Sequence, residues 1–232
     1  MYKLATEANY ADYKHIIADN DLILLHTDSR WQELLKTIKA TKDKIEEKYN
    51  RKLISLIDSI EMEDQKWRGL LRQFLNNEID TTLYPQKMIH TNITKTDSLN
   101  YYLCSKIINQ YGYPTYEIAG VEAIHNFWLV LQHQDRHVLF QDSVLKLMKR
   151  ELDKNQVSGA DYAYLTDRVK INMKEPQIYG TQMELNKDKT SYKSLPLVEP
   201  EKVNERRKSV GLGTEEDYIK TMNNRYFGTL KK

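Results

Sequence analysis

The chain has 232 residues, of which 35 are Lys or Arg and 33 are Asp or Glu, so its formal net charge is only +2. This balance provides no global field to attract nucleic acid or an acidic membrane surface, and neither is expected as a partner. The single cysteine, Cys104, excludes an internal disulfide framework and has no Cys or His neighbours at zinc spacing. We therefore expect neither a structural metal nor a cofactor.

Sequence signals of membrane insertion and secretion are also missing. No apolar run approaches the roughly 18 residues that suggest a membrane span, and residues 1–20 lack the apolar segment of a secretory signal. As written, the chain is therefore expected in the cytoplasm.

The N-terminal part predicts a short helical unit. Asp28 and Ser29 are suited to cap a helix that carries apolar residues at helical spacing, and the charged residues 42–51 either continue it or form a connector. We place a boundary near residue 50. This divides the chain into a helical, repeat-like appendage (1–50) and a single mainly α domain (51–232).

The first part of the larger domain predicts two helices separated by a loop. Apolar side chains recur at helical spacing over residues 53–74, which predicts an amphipathic helix of about six turns. The pattern dissolves between residues 77 and 97, which predicts a long loop. A helix over residues 99–111 follows, and Gly112 and Pro114 end it.

Shorter elements are predicted for the remainder. In chain order they are an apolar helix over residues 121–133 after Gly120, a helix from Asp135 to about residue 154, a helix over residues 158–168, a hairpin with arms 169–172 and 177–181, a helix opened by Pro200, and a last helix around Tyr218. A break near Gln134 separates the first two. The predicted fold is mainly α, a multi-helix orthogonal bundle with a small β-hairpin.

Asp64 is a polar residue where a plain core would not place one. It follows Ile57 by seven residues and so lies within the apolar stripe of its helix. A bare carboxylate there would be costly. Two interpretations stay open: a buried ion pair with Arg68 that orients two helices, or a carboxylate held at the wall of a pocket.

His133 raises the same question. Apolar residues on the preceding turn direct it inward if its helix continues, so one interpretation is a satisfied core histidine. His137 at i+4 and Asp135 nearby favour another, a metal site or an oriented general base. The HxxxH spacing lacks the glutamate of a metalloprotease helix, so we assign no metal ligands.

Two further polar segments lie at predicted element ends. Residues 166–168 (Thr-Asp-Arg) precede the predicted hairpin, and residues 177–182 form its second arm. These residues either cap helices and satisfy backbone groups or belong to a site. Of Arg206 and Arg207, at most one should face inward, where it would clamp an anion or tie down the C-terminal segment.

The same segments together resemble an uncharacterised bacterial family of domains of unknown function. The motifs are DQxxR at residues 64–68, GxP at 112–114, QHxD at 132–135 with the later Gln141, LTDR at 165–168, YGTQ at 179–182 and RRxxxGL at 206–212. The resemblance covers roughly residues 50–220. It implies a shared site and names no reaction.

A second resemblance concerns the N-terminus. Residues 10–35 look like the closing piece of tetratricopeptide-type segments in Bacteroidetes-like proteins. The resemblance implies a protein partner for the N-terminal helices. Because such proteins often carry an exported leader, it also implies an alternative location, the periplasm, for a native chain with an upstream leader.

These observations lead to two hypotheses of function. In the first, a pocket binds a small polar or anionic molecule and supports hydrolysis or group transfer. Its candidate catalytic residues are His133, Asp64 and Asp167, and its candidate ligand-binding residues are Arg68, Gln132, Asp135, Gln141, Arg168, Tyr179, Thr181, Gln182 and Arg206. In the second, the protein is an interaction module and the polar motifs are structural. No serine or cysteine nucleophile motif and no glycine-rich phosphate loop is present.

Overall fold

A computed structural model describes residues 10–228, and its backbone separates into two compact units, the first ending at Lys52. The first unit contains α1 (Tyr13–Ala18), a 3-10 helix (Asn20–Leu25) and α2 (Trp31–Glu46). Its small core consists of Ile16, Trp31, Leu34 and Ile38.

The described part of the second unit is helical apart from one short hairpin, so the expectation of a mainly α fold is confirmed. Its elements are α3 (Arg51–Leu75), which begins at the boundary, α4 (Gln86–Tyr111), α5 (Tyr116–Leu131), α6 (Val138–Leu152), α7 (Gly159–Asn172), β1 (Met183–Leu185), β2 (Tyr192–Ser194), α8 (Val203–Ser209) and α9 (Glu215–Phe227). Short 3-10 helices cover Asp135–His137 and Pro200–Lys202. None of the helices in the described range is long and apolar enough to cross a bilayer.

The core of the second unit uses the apolar stripes that the sequence predicts. Ile57 of α3, Phe127 of α5 and Leu165 of α7 are fully buried. Cys104 of α4 is also buried, and burial raises the pKa of its thiol. This stripe of α4 brings one more polar residue, Asp97, against α3.

The predicted loop over residues 77–97 is wrong in its second half, because α4 begins at Gln86. Thr and Asn residues weaken the helical pattern there, but their side chains donate to carbonyls one turn back: Thr91 to Lys87 at 2.8 Å and Asn92 to Met88 at 2.9 Å. Burial of Ile89 stabilises this part of the helix and compensates for the low helix propensity of the Thr and Asn residues.

The break near Gln134 is confirmed. α5 ends at Leu131, and residues 132–134 form a turn into the 3-10 helix that precedes α6. Gly120 adopts a φ of 78°, which kinks α5 near its start and agrees with the predicted boundary there. His133 therefore lies in a turn and not on a continuous helix face.

The predicted position of the hairpin is wrong. Residues 169–172 remain helical because the buried Val169 continues the apolar stripe of α7. Instead, β1 and β2 pair antiparallel, with Met183 opposite Ser194 and Leu185 opposite Tyr192. Residues 177–182 form a loop between α7 and β1.

Candidate functional site

Asp64 is the centre of a buried polar cluster. Its side chain is fully buried, and it accepts hydrogen bonds from Arg68 Nε at 3.2 Å to each oxygen and from Gln65 Nε2 at 2.9 Å. His133 Nδ1 lies 2.8 Å from its Oδ2. We call Asp64, Gln65, Arg68, His133 and Asp97 the Asp64 cluster.

Asp97 is the member of this cluster that sequence reasoning missed. Arg68 donates to its Oδ1 at 2.5 Å, so one guanidinium bridges carboxylates from α3 and α4. Burial raises the pKa of Asp97, with the charge of Asp64 adding to the shift and Arg68 opposing it. The missed signal is spacing: Asp97 precedes the buried Cys104 by seven residues and so shares its helix face.

Within the described residues, only one of the two ring nitrogens of His133, Nδ1, has a hydrogen-bond partner. The Asp64 carboxylate accepts from Arg68 and Gln65 as well, so it is an acceptor and the Nδ1 of His133 is the donor. In a neutral ring the lone pair then lies on Nε2. Nε2 has no hydrogen-bond partner among residues 10–228, and the side chain is 16% exposed. Nε2 is therefore the ring nitrogen that can form a further hydrogen bond.

Asp135 and Arg168 form a second ion pair in this region. Arg168 binds both carboxylate oxygens, through Nε and Nη2 at 2.7 Å each, and Asn172 adds a bond of 2.9 Å. Burial acts to raise the pKa of Asp135, but the hydrogen bonds and charge of Arg168 outweigh it, so the pKa is lowered. Asp135 follows His133 by two residues, so this pair lies near the Asp64 cluster.

His137 does not join His133. Its ring stacks on Tyr101 with centroids 3.6 Å apart. Among the residues that the structure describes, no group of three or more His, Cys, Asp or Glu side chains has a geometry suited to a metal ion.

Asp167 organises a loop. Its fully buried carboxylate accepts from the backbone N–H groups of Ile178 at 2.7 Å, Tyr179 at 2.9 Å and Thr181 at 2.8 Å, and from the Thr181 hydroxyl at 2.9 Å. We call residues 178–181 the Asp167 loop. Gly180 in this loop has a φ of 67°, a backbone region that favours glycine.

Gln177 and Gln182 fasten the end of this loop. The buried Gln177 donates to the carbonyls of Gln182 at 3.0 Å and Leu195 at 2.9 Å and accepts from the Gln182 N–H at 2.9 Å. The Gln182 side chain donates to Thr181 at 3.2 Å. The side-chain amide groups of both residues therefore form hydrogen bonds that hold the end of the loop in place.

Arg206 and Arg207 both bind backbone carbonyls of the loop and its surroundings. Arg207 is the buried one of the pair and donates to the carbonyls of Tyr179 at 2.8 Å and Gly213 at 2.6 Å. Arg206 donates to Ile178 at 2.7 Å and Val198 at 2.5 Å. These contacts tie the C-terminal segment to the Asp167 loop.

The two candidate glutamines near His133 have different environments. Gln132 is partly buried in the turn after α5. Gln141 is fully buried and donates to the Leu131 carbonyl at 2.9 Å, while its Oε1 has no partner. The Oε1 of Gln134 is also buried without a partner. Gln141 was predicted as a site residue from the sequence, whereas Gln134, which lies in the turn that carries His133, was not.

The predicted site residues thus fall into two groups. Asp64, Arg68 and His133 share direct contacts in the Asp64 cluster, with Asp135 and Arg168 nearby. The other group comprises Asp167, Tyr179, Thr181, Gln182 and Arg206, which belong to the Asp167 loop or hold it. Adjacent positions on α7, Asp167 and Arg168, connect the two.

A further histidine–carboxylate pair, not predicted from the sequence, joins α5 to α7. His125 Nδ1 lies 3.1 Å from Asp161 Oδ2, and this hydrogen bond raises the pKa of His125 against the opposing effect of burial. The pair therefore stabilises the fold fully below the ordinary value of 6.5, and this contribution is lost as pH rises through the folded-state pKa.

The raised pKa of His125 gives a first prediction about the pH dependence of stability. Between about pH 5 and about pH 9, the wild type should lose more stability than the variant His125→Gln, which cannot titrate. Urea unfolding of both proteins at the two pH values measures the difference. Equal losses would show that the His125 to Asp161 contact does not shift the pKa.

The fold and the two polar groups define a class: a mainly α domain whose helices are joined by buried carboxylate, arginine and histidine contacts. A family model described as "Family of unknown function (DUF6624)" matches residues 66–231, more than half of the chain, and the protein belongs to this family. The match includes every candidate site residue except Asp64. Comparison with curated proteins and with solved structures found no match.

Proposed function

We propose that the protein binds a small polar or anionic molecule next to His133, and that His133 acts there as an acid–base in hydrolysis or group transfer. The observation that carries this proposal is the contact of His133 Nδ1 with the buried Asp64, which leaves Nε2 without a partner in the described chain. A carboxylate in this position fixes the ring orientation and stabilises the imidazolium that forms on proton transfer.

The surroundings of His133 fit such a role for Asp64. Arg68 and Gln65 hold the carboxylate from its own helix, and Arg68 is itself held by Asp97. The orienting group is therefore fixed from two helices before any ligand arrives, which is the preorganisation that catalysis requires.

Arg168 is the candidate group for negative charge on the ligand. Asp135 holds its guanidinium on one side through Nε and Nη2, and Nη1 has no partner among the described residues. A guanidinium fixed in this way offers the remaining donor with little further loss of side-chain freedom. We assign Asp167, with Tyr179, Thr181, Gln182 and Arg206, to positioning the loop that follows α7.

The variant His133→Asn provides the test. Asn Nδ2 occupies about the position of His Nδ1 and can still donate to Asp64, whereas the position of Nε2 is lost. We expect a melting temperature that is nearly unchanged or raised, because a group kept for function is not optimised for stability. Ligand-induced stabilisation should disappear.

A thermal-shift screen of small polar and anionic compounds that lack an aromatic or acyl body measures this directly. Compounds that stabilise the wild type should also stabilise His90→Asn, a control at an exposed histidine of α4. They should leave His133→Asn unchanged. A His133→Asn protein that melts several degrees lower and still responds to the compounds would identify His133 as a core residue and reject the proposal.

A second candidate function is a protein-interaction module. It is favoured by the first unit, where the adjacent Ile23 and Leu24 are 57% and 84% exposed. Apolar side chains in contact with solvent at neighbouring positions are typical of an interaction surface. In that case, replacing both with Ser would abolish partner binding, whereas His133→Asn would leave it unchanged.

A further inference from the structure

A groove of about 360 Å³ lies between α6 and α7 and includes none of the residues of the Asp64 cluster. Its floor is apolar, since Leu145 and Val169 are buried core residues, and the partly buried Tyr162 forms a wall. This volume is near the lower end for small-molecule sites and suits one or two fused rings or a short acyl chain. The floor by itself would favour a ligand, or a part of a ligand, that is apolar.

The rim of the groove is basic. Lys146 and Lys149 of α6 and Lys170 of α7 line it, against one carboxylate, that of Asp142. Among the lining residues three cations thus face one anion, and the two other carboxylates that pair with these lysines, Asp153 and Glu175, lie outside the lining. The nearby Thr166 hydroxyl already donates to the Tyr162 carbonyl at 2.7 Å, so recognition of charge falls to the lysines.

The lysines can leave their present ion pairs and bind a ligand with little loss of protein stability. Each is paired at the surface: Lys146 with Asp142 at 2.8 Å, Lys149 with Asp153, and Lys170 with Glu175 at 2.6 Å. Exposed pairs of this kind contribute little to stability and are screened by salt. A ligand anion can therefore recruit the ammonium groups without destabilising the helices.

The groove also touches two of the polar segments found in the sequence, LTDR and YGTQ, at residues that have no ligand role in the His133 site. Thr166 of the LTDR segment lines it, and the Tyr162 ring packs edge-on against Tyr179 of the Asp167 loop, with centroids 6.4 Å apart. A ring bound against Tyr162 would thus be supported from behind by the fixed loop.

From this arrangement we propose that the groove between α6 and α7 binds a small anion with an apolar or aromatic body, such as an aryl or short acyl carboxylate or phosphate ester. The apolar floor receives the body, and the lysines of the rim receive the charge. This site is additional to the one proposed beside His133.

Titration of the ¹⁵N-labelled full chain with 1-naphthyl phosphate tests the proposal. We expect saturable changes in the amide resonances of α6 and α7, with binding that weakens as salt is added. Inorganic phosphate, which lacks the body, and 1-naphthalenemethanol, which lacks the charge, should each bind at least about tenfold more weakly.

Matched variants separate this groove from general surface charge. Lys146→Gln with Lys170→Gln should weaken binding by about tenfold or more, while Lys39→Gln with Lys193→Gln should not. The control lysines form similar exposed pairs, with Asp43 at 2.8 Å and Glu184 at 3.0 Å. His133→Asn should bind the probe as tightly as the wild type does. A negative result for the groove can therefore be distinguished from a negative result for the site beside His133.

Three results would overturn the proposal. They are the absence of saturable changes in α6 and α7, equal binding of the uncharged probe, and an equal loss of affinity in the control variant.

Discussion

Replacing Asp64 with Ala should lower the free energy of unfolding by about 3–5 kcal/mol, the largest effect expected from a single substitution in this chain. The carboxylate is fully buried, and its removal leaves the donors of Arg68, Gln65 and His133 without their acceptor. Arg68 would then retain only Asp97. Urea unfolding at neutral pH measures the change.

The neighbouring Glu63→Ala is the matched control. Its side chain is exposed and lies 3.7 Å from Lys66 on the same helix, so the loss should be about 0.5 kcal/mol or less. If Asp64→Ala costs no more than this control, the buried cluster does not hold α3 against α4 and the turn after α5.

Replacing Asp167 with Ala should cost about 3–4 kcal/mol, because three backbone N–H groups and one hydroxyl lose a buried acceptor together. The amide hydrogens of Ile178, Tyr179 and Thr181 should also exchange faster with solvent than in the wild type. Urea unfolding and hydrogen exchange measure the two effects on one protein.

Glu184→Ala controls for loss of an acid in the same region. This residue lies on the nearby β1 and makes an exposed pair with Lys193 at 3.0 Å, so stability and exchange in the Asp167 loop should hardly change. Unchanged protection of the loop amides in Asp167→Ala would contradict the role assigned to this carboxylate.

The sequence predicted much of the helical architecture because apolar spacing dominates it. The stripe of α3 also predicted that Asp64 is buried, which is confirmed, and the ion pair with Arg68, one of the two interpretations of Asp64, is present in the structure. The two interpretations of Asp64 turn out to be compatible, since the ion pair exists and His133 contacts the same carboxylate. Whether this cluster also binds a ligand stays a prediction.

The errors arise where tertiary contacts override local pattern. The Thr and Asn residues of 86–97 weaken the helical signal, so the start of α4 was missed, and Asp97 with it. β-branched residues at 169–172 favoured a strand, but burial of Val169 against the core keeps them in α7. Local propensity contributes less than packing at both places.

The Asp167 loop could be located from the sequence but not understood from it. The segments LTDR and YGTQ suggested a site at element ends, yet a single carboxylate gathers the loop amides across a separation of 11 to 14 residues. Likewise, spacing predicted at most one inward arginine on α8 without showing that Arg207 is the buried one. Such pairings depend on the folded path of the chain.

The central claim is that Asp64 fixes the ring of His133 so that Nε2 receives the ligand, and ¹⁵N NMR of the labelled imidazole tests it most directly. In the neutral ring we expect the proton on Nδ1 and an unprotonated Nε2. A compound whose stabilising effect is lost in His133→Asn should then change the Nε2 resonance of His133 and leave that of His90 unchanged. A proton on Nε2 with Nδ1 unprotonated, or a compound of this kind that leaves the His133 resonances unchanged, would contradict the account.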